Sequence, residues 1–177
     1  MNSKFYIIGI KHCGKSTIGR LLANELSIPY FDLDTLIEEQ INMSVREYYL
    51  KNGKDAFLKA ENQALQELKK SGSKSFVCAT GGGICDNIEA FNNLKEAENI
   101  IYINTKFQTV YSRIIKNGIP PFLKSDNPKE EFLIMYNRRT QKYKDIATIE
   151  VNGDEQTPEQ IKTEILKTLK ESEIARK

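Results

Sequence analysis

The sequence predicts an α/β fold of three layers, in which a central five-stranded parallel sheet lies between two layers of helices. Two observations predict this fold class. Five short apolar runs recur along the 177 residues, and each is followed by a stretch in which apolar residues repeat at helical spacing. Strands that alternate with helices favour a parallel sheet, because each parallel strand needs a crossover connection to reach the next.

The strands are predicted where apolar, β-prone residues cluster, as they do in strands that are buried on both faces. These runs are residues 4–8, 29–31, 74–79, 99–103 and 148–151. The helices are predicted where apolar residues recur every three or four positions. These stretches are residues 15–26, 35–41, 45–52, 55–70, 87–95, 107–116, 130–144 and 158–171.

The connection between the first strand and the first helix has the spacing G-x-x-x-x-G-K-[ST] of a phosphate-binding P-loop. In such a loop, backbone N–H groups surround a nucleotide phosphate, the lysine contacts the β and γ oxygens, and the hydroxyl can ligate Mg²⁺. We therefore predict that ATP and Mg²⁺ bind here; the alternative is a glycine-rich turn without a ligand. The predicted nucleotide-binding residues of the loop are Gly9, Lys11, His12, Cys13, Gly14, Lys15, Ser16 and Thr17.

Two segments fall outside the simple alternation of strand and helix. Residues 34–71 hold several helical segments, and residues 117–128 are rich in glycine, proline and polar residues without a period. A P-loop core with one helical insertion and one lid is the plan of small-molecule and nucleotide kinases. We therefore expect a single P-loop kinase domain over 1–177, with a core of 1–33, 72–116 and 129–177, a substrate-binding insertion of 34–71 and a lid of 117–128.

The composition argues against several other classes of protein. The net charge of +2 and the 40% of hydrophobic residues do not indicate a surface for nucleic acid or for a membrane. No apolar run approaches the roughly 20 residues of a membrane span, and the first residues do not resemble a signal peptide. The spacing of Cys13, Cys78 and Cys85 is not that of a metal site, so we expect reduced thiols and a cytoplasmic location. We also expect a monomer.

Two carboxylates follow the second strand at the edge of the sheet where ligands bind in open α/β folds. Asp32 and Asp34 are two residues apart and should lie on the same side of the chain. One of them can hold Mg²⁺ through water, and the other can accept the proton of an acceptor hydroxyl. The alternative is that Asp34 only caps a helix that begins at Thr35.

Three successive glycines follow the third strand at the same edge of the sheet. They allow the backbone to approach a ligand closely and offer N–H groups at the entry to a helix; the alternative is a flexible turn. We predict that this loop contacts the substrate through Gly81, Gly82 and Gly83.

Arginines flank the predicted lid. Arg113 ends the helix before it, and Arg138 and Arg139 lie in the helix after it. Guanidinium groups at these places suit the recognition of a nucleotide and of a carboxylate. The alternative for one member of the Arg138 and Arg139 pair is simple solvation at the surface.

Together these residues resemble the shikimate kinase family, small P-loop kinases that transfer the γ-phosphate of ATP to the 3-hydroxyl of shikimate in aromatic amino acid biosynthesis. The resemblance covers nearly the whole chain and rests on the motifs GIKHCGKST, D-L-D, A-T-G-G-G and R-T-Q-K-Y. It implies that Ser16 and Asp32 serve Mg²⁺, and that Lys15 and Asp34 are catalytic. In addition, Asp34 would hold shikimate hydroxyls and act as the base. Arg139 would pair with the shikimate carboxylate, and Arg113 would stack on adenine.

The chain departs from the family pattern at several positions. Leu58 replaces the arginine of F-R-x-x-E that helps to bind the substrate carboxylate, and Pro120 replaces the arginine of the lid motif R-P-L-L. His12 and Cys13 stand where the family usually has glycine and serine. Lys11 and Lys124 are candidates to supply the missing positive charge, and His12 can also lend charge to the phosphates.

These departures leave three interpretations open. The first is an ATP-dependent shikimate kinase whose substrate site is rearranged. The second, which Leu58 motivates, is a kinase of the same fold that acts on another small hydroxy acid or polyol. The third, which Pro120 motivates, is a nucleotide-binding relative with little or no activity; the retained Asp34 argues against it, since a protein that only binds nucleotide needs no base.

Overall fold

A computed structural model of the chain describes residues 3–116, 123 and 126–175. Its five strands form one sheet in the order β2-β3-β1-β4-β5, in which every pairing is parallel. The strands are β1 (Lys4–Ile8), β2 (Tyr30–Asp32), β3 (Phe76–Ala79), β4 (Asn99–Asn104) and β5 (Ile149–Asn152). The predicted five-stranded parallel sheet is therefore confirmed, and each strand lies within two residues of its predicted bounds.

Helices connect the strands as the sequence predicts. They are α1 (Lys15–Leu26), α2 (Leu33–Ile41), α3 (Val45–Lys70), α4 (Ile88–Lys95), α5 (Phe107–Ile115), α6 (Pro128–Ile146) and α7 (Pro158–Ala175), with a 3₁₀ turn at Ile84–Asp86. The right-handed crossover from β1 to β2 places α1 on one face of the sheet, because the chain moves one way along the sheet from β1 to β2 and the other way thereafter. Helix α7 follows β5 and packs on α1 on the same face, where Lys162 contacts Glu25 at 3.0 Å. The remaining connections lie on the other face, so the three-layer architecture is confirmed.

The insertion between β2 and β3 consists of α2 and α3. The sequence predicts two helices, 45–52 and 55–70, where the structure has the single element α3, but the backbone of Gly53 inside it is not helical (φ 82°, ψ 179°). The predicted break is therefore present as a sharp interruption. The first half of α3 starts with a reciprocal capping box between Ser44 and Glu47, which fixes where the helix begins.

The register of the sheet decides where the functional loops lie. Ala79 of β3 is level with Ile7 of β1 and with Asp32 of β2. The loop after β1, the residues after β2 and the glycines after β3 therefore leave the sheet at the same edge. The core beneath them is apolar: Ile7 and Ile8 have no exposed surface. No helix within 3–116 or 126–175 is long and apolar enough to cross a membrane.

Candidate active site

The loop between β1 and α1 has a conformation that its glycines make possible. Gly9 has φ +148°, and a Cβ atom placed there would lie 2.8 Å from the Cys13 sulfur and 2.9 Å from the Ile103 carbonyl oxygen. Gly14 caps α1 with φ 103°. The Cys13 amide donates to the Ile10 carbonyl at 3.2 Å and closes the loop. Strand, loop and helix are therefore arranged as the P-loop motif requires.

The side chain of Lys15 folds back over this loop. Its ammonium group donates to the carbonyl oxygens of Gly9 at 2.9 Å and of Ile10 at 3.0 Å, and the residue is only 8% exposed. A buried ammonium group at the N-terminus of α1 strengthens the positive field that the helix itself provides. The loop can therefore bind an anionic phosphate group. Thr17, in the first turn of α1, is exposed at the same end of the helix.

Asp32 joins the P-loop to the residues that follow β2. Its Oδ2 accepts hydrogen bonds from the Ser16 hydroxyl at 2.9 Å and from the Tyr30 hydroxyl at 3.2 Å, and its Oδ1 accepts from the Asp34 amide at 3.2 Å. The Ser16 hydroxyl and the Asp32 carboxylate thus bring two possible metal-ligand oxygens close together. Carboxylate and hydroxyl oxygens of this kind suit Mg²⁺, which takes its remaining ligands from phosphates and water.

The alternative role for Asp34, as the cap of a helix beginning at Thr35, is wrong. Helix α2 begins two residues earlier, at Leu33, and the residue that caps it is Asp32. Asp34 therefore lies in the first turn, and its side chain is left to face the cleft. Desolvation of its carboxyl group, and then the negative charge of Asp32, raise the pKa of Asp34, while the positive charge of Lys15 opposes the shift. The residue stays open to solvent, so a ligand can reach its carboxylate.

The three glycines after β3 bring the two halves of the site together. A Cβ atom on Gly82 would lie 2.6 Å from the backbone nitrogen of Lys11, so the glycine loop packs directly on the P-loop. A Cβ atom on Gly81 would lie 3.2 Å from Asp34 Oδ1 and 3.2 Å from Glu61 Oε1. The glycine loop therefore lies between the predicted phosphate site and the carboxyl groups of Asp34 and Glu61, and it is in contact with both.

Arg139 lies on the third of these glycines. A Cβ atom on Gly83 would be 3.2 Å from its Nη2 atom, and Nη1 donates to the Gly82 carbonyl at 3.0 Å. The same carbonyl accepts from the hydroxyl of the buried Tyr143 at 3.1 Å. The first and last residues of R-x-x-x-Y thus hold one carbonyl group, which fixes the glycine loop against α6.

The side chain of Arg113 reaches the P-loop from α5, where its Nη1 donates to the His12 carbonyl at 2.9 Å. His12 has φ 66°, a conformation that places its carbonyl group within that reach. Partial burial, and then the positive charges of Lys11 and Lys15, lower the pKa of the His12 imidazole. The lowered pKa favours the neutral imidazole, which weakens His12 as a source of positive charge for the phosphates.

Three residues of the site escaped the sequence reasoning. Glu61 is only 2% exposed and accepts from Asn87 Nδ2 at 2.9 Å, and burial raises its pKa to about 7. Asp86 accepts from Arg139 Nε at 2.9 Å. The only signals in the sequence were the glutamate that ends F-L-K-A-E and the position of Asp86 and Asn87 just after the glycines.

Some predicted residues are not part of this arrangement. The Leu58 side chain is half-buried and brings no charge, although its backbone carbonyl accepts from Asn87 Nδ2 at 2.7 Å. Pro120, Lys124 and most of the predicted lid lie outside the described residues, and 127–128 form the start of α6. Across the part of the chain that the structure describes, no three His, Cys, Asp or Glu side chains are grouped as a metal site. The three cysteines are free and buried.

The sequence matches a protein-family model described as "Shikimate kinase" over residues 11–170. Curated relatives with this name include one from Enterococcus faecalis, which is 35% identical over 93% of this chain and 97% of its own length. Another, from Aquifex aeolicus, is 33% identical over 94% of this chain and 95% of its own length. The similarity therefore extends over nearly the full length of both relatives.

Solved structures give the same picture of the fold. A shikimate kinase from Acinetobacter baumannii in complex with shikimate superimposes with a TM-score of 0.86 at 24% identity, over 96% of this chain and 94% of that one. The shikimate kinase from Aquifex aeolicus superimposes with a TM-score of 0.78 at 29% identity, over 97% of this chain and 98% of that one.

Proposed function

This chain belongs to the shikimate kinase family, and on that premise we propose that it transfers the γ-phosphoryl group of ATP to the 3-hydroxyl of shikimate. One observation carries the proposal. The glycine loop after β3 packs on the P-loop through Gly82 while Asp34 and Arg139 lie against Gly81 and Gly83. A phosphate donor on one side of that loop would therefore be close to an acceptor on the other, and proximity of this kind is the main need of phosphoryl transfer.

On the nucleotide side, the P-loop amides and Lys15 bind the phosphates. The Lys15 ammonium group exchanges the carbonyl oxygens of Gly9 and Ile10 for phosphate oxygens when ATP enters. Ser16 and Asp32 would hold Mg²⁺, which when bound offsets the charge on the phosphate oxygens. Arg113, held on the P-loop backbone at His12, is close enough to this loop to contact the adenine nucleotide.

On the acceptor side, Asp34 orients the shikimate hydroxyls and accepts the proton of the attacking hydroxyl group. General-base assistance of this kind typically contributes about 10²- to 10⁴-fold. Arg139 binds the carboxylate at the opposite end of the substrate, and the amide groups of the glycine loop lie between them. Under this proposal, the insertion of 34–71 carries part of the acceptor site and the core carries the nucleotide. Residues 117–128 are the lid of the same domain.

A second candidate is phosphorylation of a different small hydroxy acid or polyol. Leu58 favours it, because a leucine side chain makes no charged hydrogen bond to a carboxylate. Such a bond is worth about 1.5–3 kcal/mol, which corresponds to a factor of ten or more in affinity.

The test is ADP release by the purified full-length chain with ATP, Mg²⁺ and either shikimate or a panel of other hydroxy acids. We expect shikimate-dependent turnover, and Lys15→Ala should lower it by about 10²-fold or more because a positive charge on the phosphates is lost. Turnover with another acceptor alone would select the second candidate. Absence of turnover with every acceptor would leave only a nucleotide-binding relative.

We also propose that the protein works as a monomer in the cytoplasm. The three cysteines are free thiols buried in the domain, which is the common state of cysteine in reducing compartments.

A further inference from the structure

Asp86 gathers three cations around one carboxylate. Arg139 contacts it through Nε at 2.9 Å and Nη2 at 2.8 Å. Arg138 contacts both of its oxygens through Nη2, at 3.0 Å and 3.1 Å. The ammonium group of Lys142 is 3.9 Å away. Three cations against one carboxylate leave a surplus of two positive charges at this point.

The two guanidinium groups are not equivalent. The side chain of Arg139 is 18% exposed and lies on Gly83, whereas that of Arg138 is 53% exposed. Asp86 lies on the Nε and Nη2 edge of Arg139, and the Gly82 carbonyl accepts from Nη1, so one N–H on each terminal nitrogen points away from both of these partners. Because Arg138 shares the same carboxylate, its guanidinium group lies beside that of Arg139 on the solvent side.

The position that lacks its arginine is close to this cluster. The Leu58 carbonyl accepts from Asn87 Nδ2 at 2.7 Å, and Asn87 is the next residue after Asp86. Helix α3 at position 58 and helix α6 at position 138 are therefore joined through two successive residues of one loop. The backbone at position 58 and the guanidinium group of Arg138 thus contact adjacent residues of the same loop.

We propose that Arg138 is the second cation that binds the substrate carboxylate, in place of an arginine at position 58, and that Asp86 positions it beside Arg139. The inference rests on the proposed function, because it concerns the carboxylate of the proposed substrate. Two guanidinium groups side by side can bind both oxygens of one carboxylate, as single bidentate forks do elsewhere. Arg138 then determines specificity for an acidic substrate.

Lys142 provides a matched control within the same cluster. Its ammonium group donates to the Cys85 carbonyl at 2.8 Å, which turns it away from the guanidinium pair. Replacement of Lys142 by glutamine removes the same unit of charge near Asp86 as replacement of Arg138 does. Any difference between the two variants therefore reports on direct binding rather than on the total charge of the cluster.

The experiment measures steady-state kinetics of the full-length wild type, Arg138→Gln and Lys142→Gln with shikimate and with its uncharged methyl ester. We expect Arg138→Gln to raise KM for shikimate about tenfold or more with KM for ATP unchanged, and Lys142→Gln to change it less than about threefold. The methyl ester should give the same KM with wild type and Arg138→Gln. Adding Leu58→Arg to Arg138→Gln should restore most of the affinity for shikimate.

Several outcomes would overturn the inference. An unchanged KM for shikimate in Arg138→Gln, with the wild type active, refutes it and leaves the proposed function standing. An equal loss with the methyl ester means that Arg138 is structural. If Arg138→Gln does not fold, Arg138→Lys is measured instead. An unchanged KM for shikimate in Arg138→Lys, with no effect on the methyl ester, would again refute the inference. No turnover of shikimate by the wild type would refute the proposed function itself, and this inference with it.

Discussion

Asp34 owes its accessibility to its neighbour Asp32. Because Asp32 caps α2, the Asp34 amide is used inside the cap and its side chain is directed into the cleft beside Gly81. Exchange of Asp32 would thus disturb both the start of a helix and the pair of oxygen donors that it forms with Ser16.

If Asp34 accepts the proton of the acceptor hydroxyl, Asp34→Asn should lower kcat by about 10²-fold or more, since an amide is not a base. The affinity for ATP should not change, because the P-loop contacts do not involve this side chain. Turnover and nucleotide binding can be measured separately, by ADP release and by calorimetry. The exposed Asp145 on α6 offers a matched control as Asp145→Asn, and normal turnover in Asp34→Asn would remove the assignment.

At this scale, the sequence predicted the residues whose chemistry depends on near neighbours. Gly9, Lys15 and Ser16 follow from spacing alone, since eight positions hold the whole motif. Asp86 did not, because its partner Arg139 is 53 residues away and only the fold brings them together. The same is true of Glu61, whose hydrogen bond from Asn87 spans 26 residues.

Among the elements, α3 is the helix that a single glycine divides into two halves. Gly53 interrupts it with backbone angles that are almost confined to glycine, and the rings of Tyr49 and Phe57 contact each other across the break at a centroid distance of 6.0 Å. The interruption lets the first half of the helix follow a different direction from the second, which carries Leu58 and Glu61.

Gly53→Ala should lower the free energy of unfolding by about 1–3 kcal/mol, because a side chain is strained at this backbone conformation. The cause is conformational alone, since among the described residues no atom beyond the neighbouring backbone of the same helix lies within 4 Å of the added methyl group. Gly72→Ala is the control, as Gly72 is also surrounded by open space but has no positive φ. Urea denaturation measures both, and equal stability of the two variants would contradict the strain.

The elements were predicted well because their signals are short-range. Helix α1 has its predicted bounds, 15–26, since a glycine cap and a following serine mark both ends. Helix α2 begins two residues before its predicted start at 35, because Asp32 and not Asp34 caps it. The 3₁₀ turn at Ile84–Asp86 was missed, since three residues are too few for a periodic pattern.

For the molecule as a whole, Glu61 links stability to pH. Burial raises its pKa from 4.5 to about 7. Between these two values the unfolded chain loses the proton while the folded chain keeps it, so stability falls as pH rises through this window and levels off above about 7. The full shift corresponds to a loss on the order of 3 kcal/mol.

Glu61→Gln should abolish most of this pH dependence, because the amide cannot ionise. Urea denaturation of the wild type and the variant at about pH 5 and about pH 8 measures it. The difference in unfolding free energy between the two pH values should be smaller in the variant by a few kcal/mol. Glu39→Gln, at an exposed position of α2, should behave as the wild type; parallel pH profiles for Glu61→Gln and wild type would disprove the link.

The order of the strands could be anticipated only as far as their parallel direction. Alternation of strand and helix predicts five parallel strands, but not that β3 inserts between β1 and β2. That choice depends on long-range packing, such as the edge-to-face contact of Tyr6 with Phe76 at 5.6 Å. Periodicity along the chain carries no information about such pairs.

The central position of β1 in the sheet has a consequence for the chain during its synthesis on the ribosome. β1 is synthesised before both of its neighbours in the sheet, which are β3, ending at Ala79, and β4, ending at Asn104. At about 5–20 residues per second, several seconds pass before both partners exist. During that time a strongly apolar strand has both edges open to other chains, and a nascent chain that stops before β4 keeps one of them open for good.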